Sequence, residues 1–267
     1  MKAYLKSVKI SFKKFLRSKG VTLLLPIAVI GCAAPAAYNA NTGQVEIRQA
    51  DPSLIQQGEA AFAQYKQQTP VSRNSSARAR VNRVAARLRP VINLPGARWE
   101  FEVFEDASAN AFALPGGKVG VNTGLLNIAI TDGQLAAVLA HEMAHVTANH
   151  AAARIRNNQT IALGGAILGA VLGASEAGSQ IGSLAQKGGE IAFGLTFSRA
   201  QELEADRVGT IFMARAGYDP AEAVTLWERM GAQNRSSTPE FLSTHPVSAT
   251  RIRALQEFMP VANAQRR

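Results

Sequence analysis

From residue 50 onward, apolar positions recur first at helical spacing, then at strand spacing, then at helical spacing again. Asp51-Pro52 offers an N-cap and a first-turn proline, which predicts a helix to about Gln67. Ser75 to Leu88 places Val81, Val84, Ala85 and Leu88 on one side of an arginine-rich amphipathic helix. Trp99-Glu-Phe-Glu-Val-Phe104 alternates apolar and polar residues, the pattern of a half-buried strand. Ala111 to Leu114 and Lys118 to Asn122 flank Pro115-Gly116-Gly117, so a hairpin or tight turn between edge strands is expected. Thr131-Asp-Gly-Gln134 fits a capping box and opens a helix to about Ile155. Ile161 to Ala174 carries Gly165, Gly169 and Gly173 at four-residue spacing and is too short to span a bilayer, which takes ~20 residues. It reads as a mobile helix or lid. Further helices are expected from Phe197 to Ala216, from Asp219-Pro220 onward, and from Pro246 to near Met259, before Pro260. The fold class is α+β: a helix-rich catalytic domain with one small sheet and no internal repeat.

Composition removes several function classes. At 267 residues and 47% hydrophobic content the chain can build a full core, and 18% charged residues argue against wholesale disorder. The net charge of +10 suggests nucleic acid until it is located. Lys2, Lys6, Lys9, Lys13, Lys14, Arg17 and Lys19 all lie in residues 1–31 with no acid, leaving +3 for the rest. No nucleic-acid partner is expected. A single cysteine excludes an internal disulfide framework and a cysteine-rich metal site.

That cysteine has a context. The basic start, the apolar run Val21 to Ile30 and the ending Val29-Ile30-Gly31-Cys32 read as a signal peptide and resemble the bacterial lipobox. A buried thiol and a basic organellar transit peptide are the competing readings. The lipoprotein reading makes residues 1–31 the signal peptide, Cys32 the lipidated residue and 32–49 a flexible tether. Residues 50–260 are then the catalytic domain and 261–267 a tail. By resemblance to sorted bacterial lipoproteins, Ala33 after the cysteine favours the periplasmic face of the outer membrane.

The chemistry is concentrated in His141-Glu142-Met143-Ala144-His145, an H-E-x-x-H motif on a predicted helix. Residues four apart share a helical face, so both imidazoles can bind one ion, with Glu142 beside them to take a proton from water. A catalytic zinc needs a third protein ligand and an open position. In a continuous helix His150 points away from the metal face, which leaves it a structural or capping role. Glu202 and Asp206, four apart in Ser198 to Asp206, supply a better pair: one carboxylate for zinc, the other to orient a ligating histidine, with Glu204 pointing elsewhere.

Together these segments resemble the HtpX and CAAX prenyl endopeptidase family of HExxH zinc metallopeptidases. The resemblance also covers Asn110 to Gly117, Val121 to Leu126, and Ser243-Thr-His-Pro246 with Arg251 beyond, and runs from about residue 50 to 257. It implies a gluzincin with one Zn2+ on His141, His145 and Glu202, Glu142 as general base and Asp206 behind the ligands. It further implies a zincin fold with substrate along an edge strand near Asn110, Phe112 and Leu114. The resemblance is nearest to short periplasmic lipoprotein members that are related to BepA but lack its tetratricopeptide-repeat domain. Their implied work is cleaving misfolded or unassembled envelope proteins through a zinc-activated water, in possible contact with the outer-membrane assembly machinery. An assembly chaperone with latent proteolysis is the alternative, and an organellar quality-control peptidase a third. His245, before Pro246, is expected to be an oxyanion donor, a latch on zinc's fourth position, or a helix cap at a surface loop.

Overall fold

The computed structural model describes residues 38–39, 44–156, 197–232 and 241–266. The signal segment, Cys32 and the Gly-rich stretch 161–174 lie outside the described residues.

Helix α1 (Pro52–Gln68) starts where the Asp51 side chain accepts a hydrogen bond from Leu54 N, and α2 (Ser75–Leu88) is capped the same way by Asn74. Both ends match the sequence reading to within a residue. Strands β1 (Glu100–Phe104), β2 (Ala111–Leu114) and β3 (Lys118–Asn122) form one sheet in the order β1-β3-β2. β3 runs parallel to β1 and antiparallel to β2. Lys118–Asn122 is thus a central strand, buried at every position, and not the edge strand expected. A strand buried on both faces shows no alternation, so Val119 and Val121 alone could not reveal it. The β2–β3 connection turns on Gly116 and Gly117, both at φ +87°, a conformation that side chains with a Cβ avoid. The outer edge of β1 is covered by Ser72 N, which donates to Val103 O, and by a bridge between Val71 and Phe104. β2 is the strand whose outer edge has no strand partner among the described residues.

A short helix α3 (Thr123–Leu126) leads to α4 (Asp132–Thr147), which is buried from Gln134 to Thr147 on every side. A helix apolar all round belongs at the centre of a domain, and α2, β2, α5 (Arg199–Arg215) and α6 (Ala221–Ala232) pack around it. Thr131 caps α4 by accepting from Gln134 N, while Gln134 reaches back to Ile130 N. Helix α4 does not continue to Ile155. It stops at Thr147, Asn149 adopts φ +52°, and helical structure resumes over residues 150–156. Asparagine tolerates the left-handed region better than most residues, but nothing in local periodicity requires it to go there.

A short helix α7 (Phe241–Thr244) precedes the last helix, α8 (Ala249–Asn263). α8 is capped by Ser248 rather than started at Pro246, and it runs through Pro260. Interior proline costs about 3 kcal/mol, but the last turns pack Phe258 and Ala262 against Ile211, with Met259 and Val261 partly buried beside them. The folded domain therefore extends past residue 260 into the expected tail. It also extends below residue 50. Tyr38 pairs with Val45 and packs edge-on against Phe258 at 5.4 Å, and Arg48 N donates to Thr147 O at 2.7 Å. Residues 44–49, expected as tether, are a docked arm. No helix among the described residues is long and apolar enough to cross a membrane.

Candidate active site

Helices α4 and α5 lie side by side because Gly209 permits it: a Cβ there would stand 3.1 Å from His141 N. α5 begins at a capping box in which Ser198 accepts from Gln201 N and donates its own N–H to Gln201 Oε1. This fixes Glu202 and Asp206, one turn apart, against the face of α4 that carries His141 and His145. All four side chains are buried.

His141 Nε2 and His145 Nε2 are 3.0 Å apart, and Glu202 Oε1 lies 3.4 Å from His145 Nε2 and 3.0 Å from His245 Nδ1. One donor atom from each of His141, His145, Glu202 and His245 falls within 4.8 Å of all the others. Asp206 Oδ1 sits 3.1 Å from His141 Nδ1, so the proton on that ring belongs on Nδ1 and the Nε2 lone pair faces the cluster. Such a convergence of nitrogen and oxygen lone pairs is repulsive by itself and fits a tetrahedral divalent cation with N and O ligands. His245 is 2% exposed, bonded through its N–H to Phe241 O at 2.8 Å and stacked on the Phe241 ring at 4.4 Å. The surface-cap reading of His245 is overturned, and the end of α7 fixes its backbone.

The electrostatics follow the crowding. Burial opposes charge on His141, but hydrogen bonds that its ring donates to Asp206 and Glu202 outweigh it and lift the pKa to about 9. For His145 burial dominates and pushes the pKa well down against the hydrogen bond to Glu202, with the charge on His141 adding to the fall. Burial also resists ionisation of Glu202, yet His141, His145 and His245 hold its carboxyl well below the usual range. Glu142 moves the other way: burial raises it, against the pull of His245 and His141.

Behind this four-residue cluster lies a residue that the sequence flagged only through a motif. Arg251, 4% exposed, reaches Asp206 through Nε at 2.5 Å and Nη2 at 2.8 Å, and Glu202 Oε2 through Nη1 at 2.5 Å. Its guanidinium also lies over Trp227, whose ring meets His141 edge-on at 5.5 Å. Arg251 thus ties both acids of α5 to the start of α8. In front of the cluster, a cleft is lined by Asn110, Phe112, Leu114, Glu142, Arg154 and His245. The three residues expected at a substrate strand lie on this cleft, and its wall is the outer edge of β2.

The sequence matches the profile of Peptidase family M48 over residues 72–259. The chain belongs to peptidase family M48. It is by family a metallopeptidase whose cofactor is zinc, and the four-residue cluster offers the donors such an ion needs. Among relatives, the mitochondrial metalloendopeptidase OMA1 of Schizosaccharomyces pombe is 39% identical over 192 residues, 70% of this chain and 54% of its own. The beta-barrel assembly-enhancing protease of Escherichia coli K12 is 31% identical over 252 residues, 89% of this chain and 51% of its own. The putative beta-barrel assembly-enhancing protease of Vibrio cholerae is 33% identical over 210 residues, 76% of this chain and 43% of its own. The M48 chain described here spans about half the length of the curated relatives it matches.

Proposed function

We propose that the chain is a lipid-anchored zinc endopeptidase that cleaves unfolded or unassembled envelope proteins at the periplasmic face of the outer membrane. The observation that carries this is the convergence of His141, His145, Glu202 and His245 beside Glu142, at the foot of the cleft that β2 lines. His141, His145 and Glu202 hold the ion, and Asp206 fixes the His141 ring. Bound there, zinc supplies Lewis acidity toward a water and a peptide carbonyl. Glu142 takes the proton of the attacking water and returns it to the leaving amine. A carboxyl raised by burial suits a group that must both accept and deliver. Substrate adds as a strand to β2 beside Asn110, Phe112 and Leu114. Main-chain pairing of that kind demands an extended segment, so a folded protein presents nothing to bind. The names of the two bacterial relatives support β-barrel proteins in assembly as the substrate class. The test is cleavage of an unfolded outer-membrane β-barrel protein by purified mature chain, abolished by chelator and restored by zinc. A chaperone acting by binding alone would protect that substrate uncleaved.

His245 serves in this reading as a latch. Its ring nitrogen lies among the ligand atoms and its side chain is almost wholly buried, so it closes the direction from which water and substrate approach. His245→Ala is expected to raise basal proteolysis. A fall of roughly 10²–10³ in kcat would make it an oxyanion donor instead, and unchanged activity would refute both roles.

Cys32→Ser is expected to release the protein from membranes with catalysis intact, since the thiol serves only for lipid attachment. The mitochondrial relatives give the other outcome: a chain processed as a transit-peptide precursor would carry no lipid at Cys32 and would be unaffected.

A further inference from the structure

His141 and His145 are both held from behind, but by different means. Asp206 holds His141. Behind His145 stands His150, with the two Nδ1 atoms 2.8 Å apart. Two ring nitrogens at that distance share one proton, and only one assignment leaves His145 Nε2 free to coordinate. His145 carries its proton on Nδ1 and donates to His150 Nδ1, so His150 carries its own on Nε2. That Nε2 faces Glu204 Oε2 at 3.3 Å, which accepts it. The other Glu204 oxygen pairs with Arg48 Nη1 at 3.2 Å. The row Arg48, Glu204, His150, His145 then has a consistent order of donors and acceptors.

The backbone explains how His150 gets there. In an unbroken helix, side chains five apart diverge by about 140°, and no such bond forms. The left-handed Asn149 turns His150 back onto His145. The docked arm holds that turn: Arg48 N donates to Thr147 O at 2.7 Å, and Asn149 Nδ2 donates to Gln49 O at 3.2 Å. Gln201 Nε2 adds a bond to His150 O at 3.4 Å.

We infer that His150 is a positioning residue for the metal ligand His145, and that the arm of residues 44–49 is a structural part of the metal site through Arg48 and Glu204. The inference rests on the zinc-site reading above. A partner that fixes a ligand's tautomer and ring angle typically changes metal affinity 10- to 100-fold.

The experiment is competition for zinc between a chromophoric chelator and the full-length protein, wild type and variants, with Co2+ absorption spectra as the second readout. His150→Leu removes the acceptor and should weaken zinc binding 10- to 100-fold and shift the Co2+ bands. His150→Asn keeps an acceptor oxygen and should stay within about threefold of wild type, a rescue that mere cavity filling would not give. Arg48→Met, a partly exposed position, should weaken binding by a smaller factor, about two- to tenfold. Equal affinity in the Leu variant, or equal losses in Leu and Asn, would overturn the role of His150. Unchanged affinity in Arg48→Met would overturn the coupling to the arm, and this variant decides if His150→Leu does not fold. Wild type that binds no zinc would instead defeat the site reading itself.

Discussion

Glu142→Gln is expected to retain one zinc per chain while losing proteolysis by about 10²–10⁴. Glu142 lies beside the ligands but is not one of the four residues whose donor atoms converge, so the amide should leave the metal site unchanged. What it removes is the proton acceptor. Burial raises the carboxyl, with His245 and His141 as the nearest opposing charges, and an amide answers none of these functions. Turnover by the Gln variant at the wild-type rate, with zinc present, would take the base away from Glu142. The same variant separates protease from chaperone: binding of unfolded substrate should persist when cleavage stops.

Arg251→Leu is expected to be the most destabilising single change in the domain, by about 3–5 kcal/mol, the range for stripping one partner from a buried ion pair. The guanidinium is the cation that reaches both Asp206 and Glu202, and both acids are buried. Burial opposes the charge on Asp206, and Arg251 is the largest influence holding its carboxyl low. Leucine would leave two adjacent carboxylates without it, and Asp206 would then no longer hold His141 in place. Urea unfolding of zinc-free protein isolates the effect from metal binding. A loss below about 1 kcal/mol would mean that the pair is solvated or satisfied elsewhere.

Much of this was legible in the sequence where the determinant is local. Caps at Asp51 and Thr131 mark helix starts, because each is a side chain bonding to a backbone N–H three residues on. The spacings of His141 with His145 and of Glu202 with Asp206 place each pair on one helical face, and the two faces meet. What was not legible depends on partners far along the chain. β3 is central because β1 and β2 flank it, which no five-residue pattern encodes. His150 seemed to point away because a continuous helix was assumed, and Asn149 breaks it. The role of Arg251 needed α8 to fold back 45 residues onto Asp206. Pro260 looked like a stop because the burial of Ala262 that outweighs it is tertiary.

The central claim is that this M48 chain is a zinc endopeptidase for unfolded protein, and the most direct measurement combines metal content with cleavage on one sample. Purified mature protein should contain one zinc per chain and cut an unfolded outer-membrane β-barrel protein at internal peptide bonds. Its activity should vanish with the zinc under chelation and return with one added equivalent. Cleavage that persists in zinc-free protein, or zinc-loaded protein that leaves the unfolded substrate intact, would contradict the account.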